Sequence, residues 1–120
     1  MAQQARDAED QGVECAGWIN AHNLCSFIGS MVTIVGRNVS EHRDEKAEFV
    51  FEDGNGARFK VLVPENDFAG YAQGTVVEVT GRVLDNDCIL QLRFHDWGVN
   101  ANLRLWTKLI EMTRKFPEIF

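Results

Sequence analysis

His22 and Cys25 stand three residues apart, a spacing that sets two potential zinc ligands on one face of a helix. A closed site needs a second pair, and His42 and His95 each stand alone. Cys15, Cys25 and Cys88 are odd in number and form no Cys-x-x-Cys, so they write neither a disulfide framework nor a zinc ribbon and fit a reducing compartment. Asp85, Asp87 and Asp96 read as turn and strand-end residues rather than as an acid–base cluster. Asp53-Gly54-Asn55-Gly56 lacks the spacing and the lysine of a phosphate loop. No nucleophile with its base, carboxylate pair or metal set is assembled. The expectation is a protein that is not an enzyme and carries no metal or cofactor.

What remains is recognition. Arg37, Arg58, Lys60, Arg82 and Arg93 are the basic residues of the strand-like runs, and Phe68, Tyr71 and Trp97 are the rings on which bases would stack. Against them stands a net charge of −6, from eighteen acidic and twelve basic residues, the opposite of the balance that gives a dedicated nucleic-acid binder most of its affinity. The segment 1–17 carries −3, the middle 18–99 carries −5, and 100–120 carries +2 from four basic and two acidic groups. Any direct DNA contact through the five basic residues is therefore expected to be weak.

The elements that position these residues follow from length and periodicity. A chain of 120 residues, 45% apolar and 25% charged, makes one domain with a core large enough to need no staple. No apolar run approaches the roughly 20 residues that span a bilayer, and the acidic start MAQQARDAEDQG is unlike a signal peptide, so neither secretion nor membrane insertion is expected. Residues 1–17 read as a disordered acidic tail. Asn20 then caps a short helix with Leu24, Phe27 and Ile28 on one face and Gly29 after its end. Strands are expected at Met31–Val39, Lys46–Asp53, Ala57–Val63, Thr75–Leu84 and Cys88–Asp96, with a charged loop from Ser40 to Lys46 and a loop or single helical turn from Glu65 to Gly74. The Asp-Gly-Asn-Gly segment supplies the positive φ angles of a tight hairpin. Five strands with short connections predict a small closed barrel. From Asn102 the period becomes helical, and Pro117 ends the helix after Phe116.

Alternation divides each strand. Val32, Ile34, Phe49, Phe51, Phe59, Val61, Val63, Val77, Val79, Val83, Leu90, Leu92 and Phe94 are expected inside, with Thr33 and the five basic residues outside beside Glu48, Glu52 and Glu78. Gly36 and Gly81 fall at inward positions in mid-strand, where barrel closure demands a bend or bulge. All four strand phenylalanines then point inward, leaving few rings for stacking.

The last helix is too apolar for one use. Leu103, Trp106, Ile110 and Thr113 mark one face and Leu105, Leu109, Met112 and Phe116 a second, together wider than the roughly 100° an ordinary surface helix buries. One stripe can close the end of the barrel and the other wants a partner, and the sequence does not say which does which. All eight are candidate interface residues. Leu109→Glu with Ile110→Glu is the corresponding test, expected to release partners from a folded barrel.

The run INAHNLCSFIGSMVTIVGRNV, the strand VVEVTGRVL and the terminal helix finishing in KFPEIF resemble the smallest subunit of replication protein A, the eukaryotic heterotrimeric single-stranded DNA-binding complex. The resemblance covers about Trp18 to Phe120. It implies an OB-fold over 18–99 and an oligomerisation helix over 100–120, the helix joining a three-helix bundle with the middle and large subunits. It also implies a nuclear assembly subunit of DNA replication, repair and recombination that meets single-stranded DNA mainly through the complex. Relatives of this subunit serve telomere-capping and telomerase-associated complexes, which the sequence does not separate from the replication complex. A free-standing nucleic-acid-binding barrel is the remaining alternative, and it would need the outward rings and basic face that this chain lacks.

Overall fold

The computed structural model describes residues 15–40, 48–64 and 72–116. Its strands are β1 (Cys15–Ile19), β2 (Met31–Asn38), β3 (Glu48–Glu52), β4 (Arg58–Leu62), β5 (Val76–Asp85) and β6 (Cys88–Gly98). A 3-10 helix, Ala21–Ser26, precedes β2, and α1 (Leu103–Lys115) follows β6. The strands run in the order β1-β2-β3-β4-β6-β5, and β2 pairs again with β5. That last pairing closes β2 to β6 into the expected five-stranded barrel.

The barrel closes because β2 uses both edges. One edge pairs antiparallel with β5 from Met31↔Arg82 to Arg37↔Val76. The other takes β3 only at Arg37 and Asn38. Further back along that same edge β1 lies parallel, with Trp18 opposite Thr33 and Ile19 opposite Ile34. Strand β1 was not expected: it begins at Cys15, inside the segment read as tail, and residues 1–14 lie outside the described residues.

The barrel interior is filled by Ile19, Leu24, Val32, Ile34, Phe49, Phe51, Phe59, Val61, Val63, Val77, Val79, Val83 and Ile89. Gly36 and Gly81 sit where the alternation places them. A Cβ on Gly36 would come within 2.9 Å of the Phe59 ring, and one on Gly81 within 2.0 Å of the Leu90 carbonyl oxygen. Asp53 is buried at the β3–β4 turn and accepts the N–H groups of Asn55 at 2.9 Å and Ala57 at 3.1 Å. Its other oxygen accepts from Ala21 N–H at 3.0 Å, which joins the turn to the start of the 3-10 helix.

The inward set needs correcting on β6. Pairing with β5 steps from Thr80↔Arg93 to Gly81↔Gln91, so Leu92 is an extra residue, a β-bulge. Before the bulge Ile89 and Gln91 are buried, while Leu90 is half-buried and Leu92 exposed. Beyond it Phe94 lies opposite Val79 yet is 38% exposed. Leu90, Leu92 and Phe94 are therefore not core residues. Thr33 lies outside the barrel, where the alternation places it, and is buried there, its hydroxyl 3.0 Å from that of Thr80.

Candidate functional site

Helix α1 starts where expected. The Asn102 side chain accepts the Leu105 N–H at 3.0 Å, and Arg114 and Lys115 in the last turn face the negative end of the helix dipole. Its buried residues, Leu103, Thr107 and Ile110, turn one face to the barrel. Leu103 packs with Val35 and Val76 on the outside of the sheet, and Trp97, Ala101 and Trp106 surround them. Trp106 stands edge-on to both Trp18 and Trp97, with ring centroids 5.2 and 5.1 Å apart.

Close approach of the backbone fixes the helix over the β3–β4 turn. Thr107 accepts the Gly54 N–H through its hydroxyl at 2.9 Å, and its carbonyl accepts the Asn20 side-chain amide at 3.1 Å. A Cβ on Gly54 would meet Arg104 Cα and the Leu103 carbonyl oxygen at 2.8 Å. At the far end Arg114 lies over the Phe27 ring, 4.8 Å from its centroid. Thr107→Val should cost about 1–2 kcal/mol of stability, because the half-buried Gly54 N–H loses its acceptor while the shape is kept. Chemical denaturation measures this directly, with the slope of the transition unchanged.

These contacts divide the eight candidate interface residues. Leu103 and Ile110 are buried in the chain's own fold, and Trp106 and Thr113 are half-buried. Leu105, Leu109, Met112 and Phe116 are 56, 36, 43 and 40% exposed on the opposite face. The small side chain of Thr107, which lets the helix sit against Gly54, is the residue that the apolar count missed. Pro117 and the rest of the chain end lie outside the described residues.

Three of the five basic residues are already engaged within the chain. Arg37 donates to the carbonyls of Gly74 at 2.7 Å and Val99 at 3.1 Å. Arg82 donates to the Gly29 carbonyl at 2.6 Å, and Arg58 pairs with Glu52 at 3.2 Å. Lys60 and Arg93 are exposed on β4 and β6. Of the stacking rings, Phe68 and Tyr71 lie outside the described residues, and so do 41–47 of the charged loop. Trp97 is half-buried against Trp106 rather than open as a platform. The ring on β6 that alternation placed inside, Phe94, is among the exposed ones.

Cys25 is exposed, and its thiol lies 3.8 Å from the carbonyl of His22, the backbone rather than the ring. Cys88 is buried, and burial followed by the charge of Asp87 raises its pKa above the ordinary thiol value. A raised pKa means less thiolate at any pH below it. In a Cys15→Ser background, Cys25 should therefore be alkylated at least about tenfold faster than Cys88 at pH 8, a ratio that intact-mass kinetics reads.

A sequence model of the family described as replication factor A protein 3 matches residues 13–120. No curated protein sequence matches the chain. Among solved structures, U. maydis replication protein A bound to single-stranded DNA superposes with a TM-score of 0.69 at 23% identity, covering 87% of this chain and 94% of that one. The telomere capping protein Ten1 from Saccharomyces pombe gives 0.65 at 15% identity, with 82% and 96% covered. The S. pombe Stn1–Ten1 complex gives 0.65 at 13% identity, with 88% and 95% covered. At these identities the structural likeness establishes the shared barrel fold.

Proposed function

Because the chain belongs to the replication factor A protein 3 family, we propose that it is the assembly subunit of a nuclear heterotrimer that binds single-stranded DNA in replication, repair and recombination. One observation carries the proposal. Helix α1 buries one apolar stripe in its own domain and leaves a second, Leu105, Leu109, Met112 and Phe116, exposed along the whole helix. An exposed stripe of this length is a sticky patch on a monomer and a seam in a bundle. The barrel's own basic residues are largely engaged with carbonyls and a carboxylate, so it contributes little DNA affinity unaided. In this reading α1 joins one helix from each of two larger subunits, and DNA is held mainly by those subunits.

The match to the replication family supports the replication complex over the telomeric relatives, whose barrels are similar in shape. Capture of the tagged chain from nuclear extract, with mass-spectrometric identification of what co-purifies, tests the reading. Two larger single-strand-binding subunits in equal amounts are expected. Recovery of a lone monomer that binds single strands by itself would contradict it.

A further inference from the structure

The two edges of the free stripe differ in charge. Arg104, Lys108 and Lys115 lie on one side of it, turned roughly 90° from its centre at 3.6 residues per turn, and all three are exposed. The other edge is Trp106 and Thr113, uncharged, with the partly exposed Trp18 ring against Trp106. Glu111, the only acid of α1, falls on the same side as Arg104, Lys108 and Lys115, which leaves that edge a net positive charge, and its carboxylate is turned to the β3–β4 turn, where it accepts the Asn55 amide at 2.6 Å.

Between that turn and α1 runs a cleft of about 900 Å³, with Arg104, Leu105 and Lys108 on one wall and Glu52 and Asp53 on the other. The acidic wall is already satisfied. Glu52 pairs with Arg58, and the buried Asp53 carboxylate accepts three backbone N–H groups. Among the described residues Arg104, Lys108 and Lys115 form no ion pair, and the Lys115 ammonium lies 5.9 Å from the ring centroid of its neighbour Phe116. With Glu52 paired and Asp53 buried, the accessible side chains of the cleft whose charge is unpaired are Arg104 and Lys108, next to the exposed Leu105.

We propose that this basic edge and cleft receive the acidic edge of one partner helix, while the uncharged Trp106–Thr113 edge receives the other, so that α1 fixes which subunit lies on which side. The inference rests on α1 being the assembly helix. A single-stranded nucleic acid is the less suitable occupant, because no ring lines the cleft for stacking and an apolar side chain does. Charges at the rim of an interface act chiefly on association rate and register, and salt screens them.

The test reconstitutes the full complex with Arg104→Glu, Lys108→Glu and Lys115→Glu together, following each larger subunit separately at about 0.1 M and about 0.5 M salt. Association of one subunit should slow at least about tenfold at the lower salt, the gap narrowing at the higher, with the other subunit unaffected. The three-glutamine variant should affect the same subunit less. Unchanged binding of both subunits overturns the proposal, as does equal weakening of both. Loss of oligonucleotide binding with assembly intact also overturns it, and gives the cleft to a phosphate backbone. A parallel Leu109→Glu, Met112→Glu variant separates the two failures. If it keeps both subunits, α1 is not the assembly helix; if it releases them while the charge variant does not, only the edge assignment falls.

Discussion

Replacing Leu109 and Met112 together by glutamate should weaken subunit assembly by at least about a thousandfold, roughly 4 kcal/mol, while the isolated barrel melts within a few degrees of the parent. Each apolar side chain that would be buried in a bundle seam contributes about 1.5–3 kcal/mol, and a carboxylate left there adds a desolvation cost. Neither residue supports the domain itself, since both are exposed on the face of α1 away from the barrel. The pair suggested by sequence, Leu109 with Ile110, does not isolate the interface. Ile110 is 3% exposed, so a glutamate there buries an unpaired charge in the chain's own fold. Loss of partners by that variant would follow from unfolding as readily as from a broken seam. Sedimentation of the co-expressed complex, with thermal melting of the free subunit alongside, reads both halves of the expectation.

Gly81→Ala should lower stability by about 3 kcal/mol or more, enough to shift the melting temperature by roughly 10 °C or more in a domain of this size. The added methyl would lie 2.0 Å from the Leu90 carbonyl oxygen and 2.8 Å from its carbonyl carbon, both backbone atoms of the paired strand. No rotamer relieves such a contact, so β5 and β6 must separate where the β6 bulge begins. Gly56→Ala is the control. Its φ is +83° and nothing lies within 4 Å of its Cβ position, so the cost is only that of holding an L side chain in the left-handed region, about 1–2 kcal/mol. Thermal denaturation of the two variants side by side distinguishes a steric site from a turn preference.

Much of this architecture is legible in the residues. The period-two runs place β2 to β6 within two residues of their observed ends, and Asn102 marks the cap of α1. Gly36 and Gly81 are legible as mid-strand glycines at inward positions, and the Phe59 ring and Leu90 carbonyl supply the reason. Strand β1 is not legible, because Cys15–Ile19 has no alternation and its pairing with β2 is itself irregular between Cys15 and Trp18. Parity fails on β6 because one extra residue, Leu92, changes which side chains face in, and Ile89-Leu90 offers an apolar residue to either choice. The division of α1 is hidden for a related reason. Both stripes are apolar, and what selects between them is the close approach of Thr107 to Gly54, residues separated by 53 positions. The candidate DNA contacts are legible as residue types but not as partners: only the folded chain brings Arg37 to Gly74 and Val99, and Arg82 to Gly29.

Hydrogen exchange of the subunit alone and in the assembled complex tests the central claim most directly. The backbone amides of α1 from Leu105 to Phe116 should gain protection on assembly, most at Leu109 and Met112, while those of β3 and β4 stay as they are. Unchanged exchange along α1, with new protection on the barrel strands instead, would contradict the account.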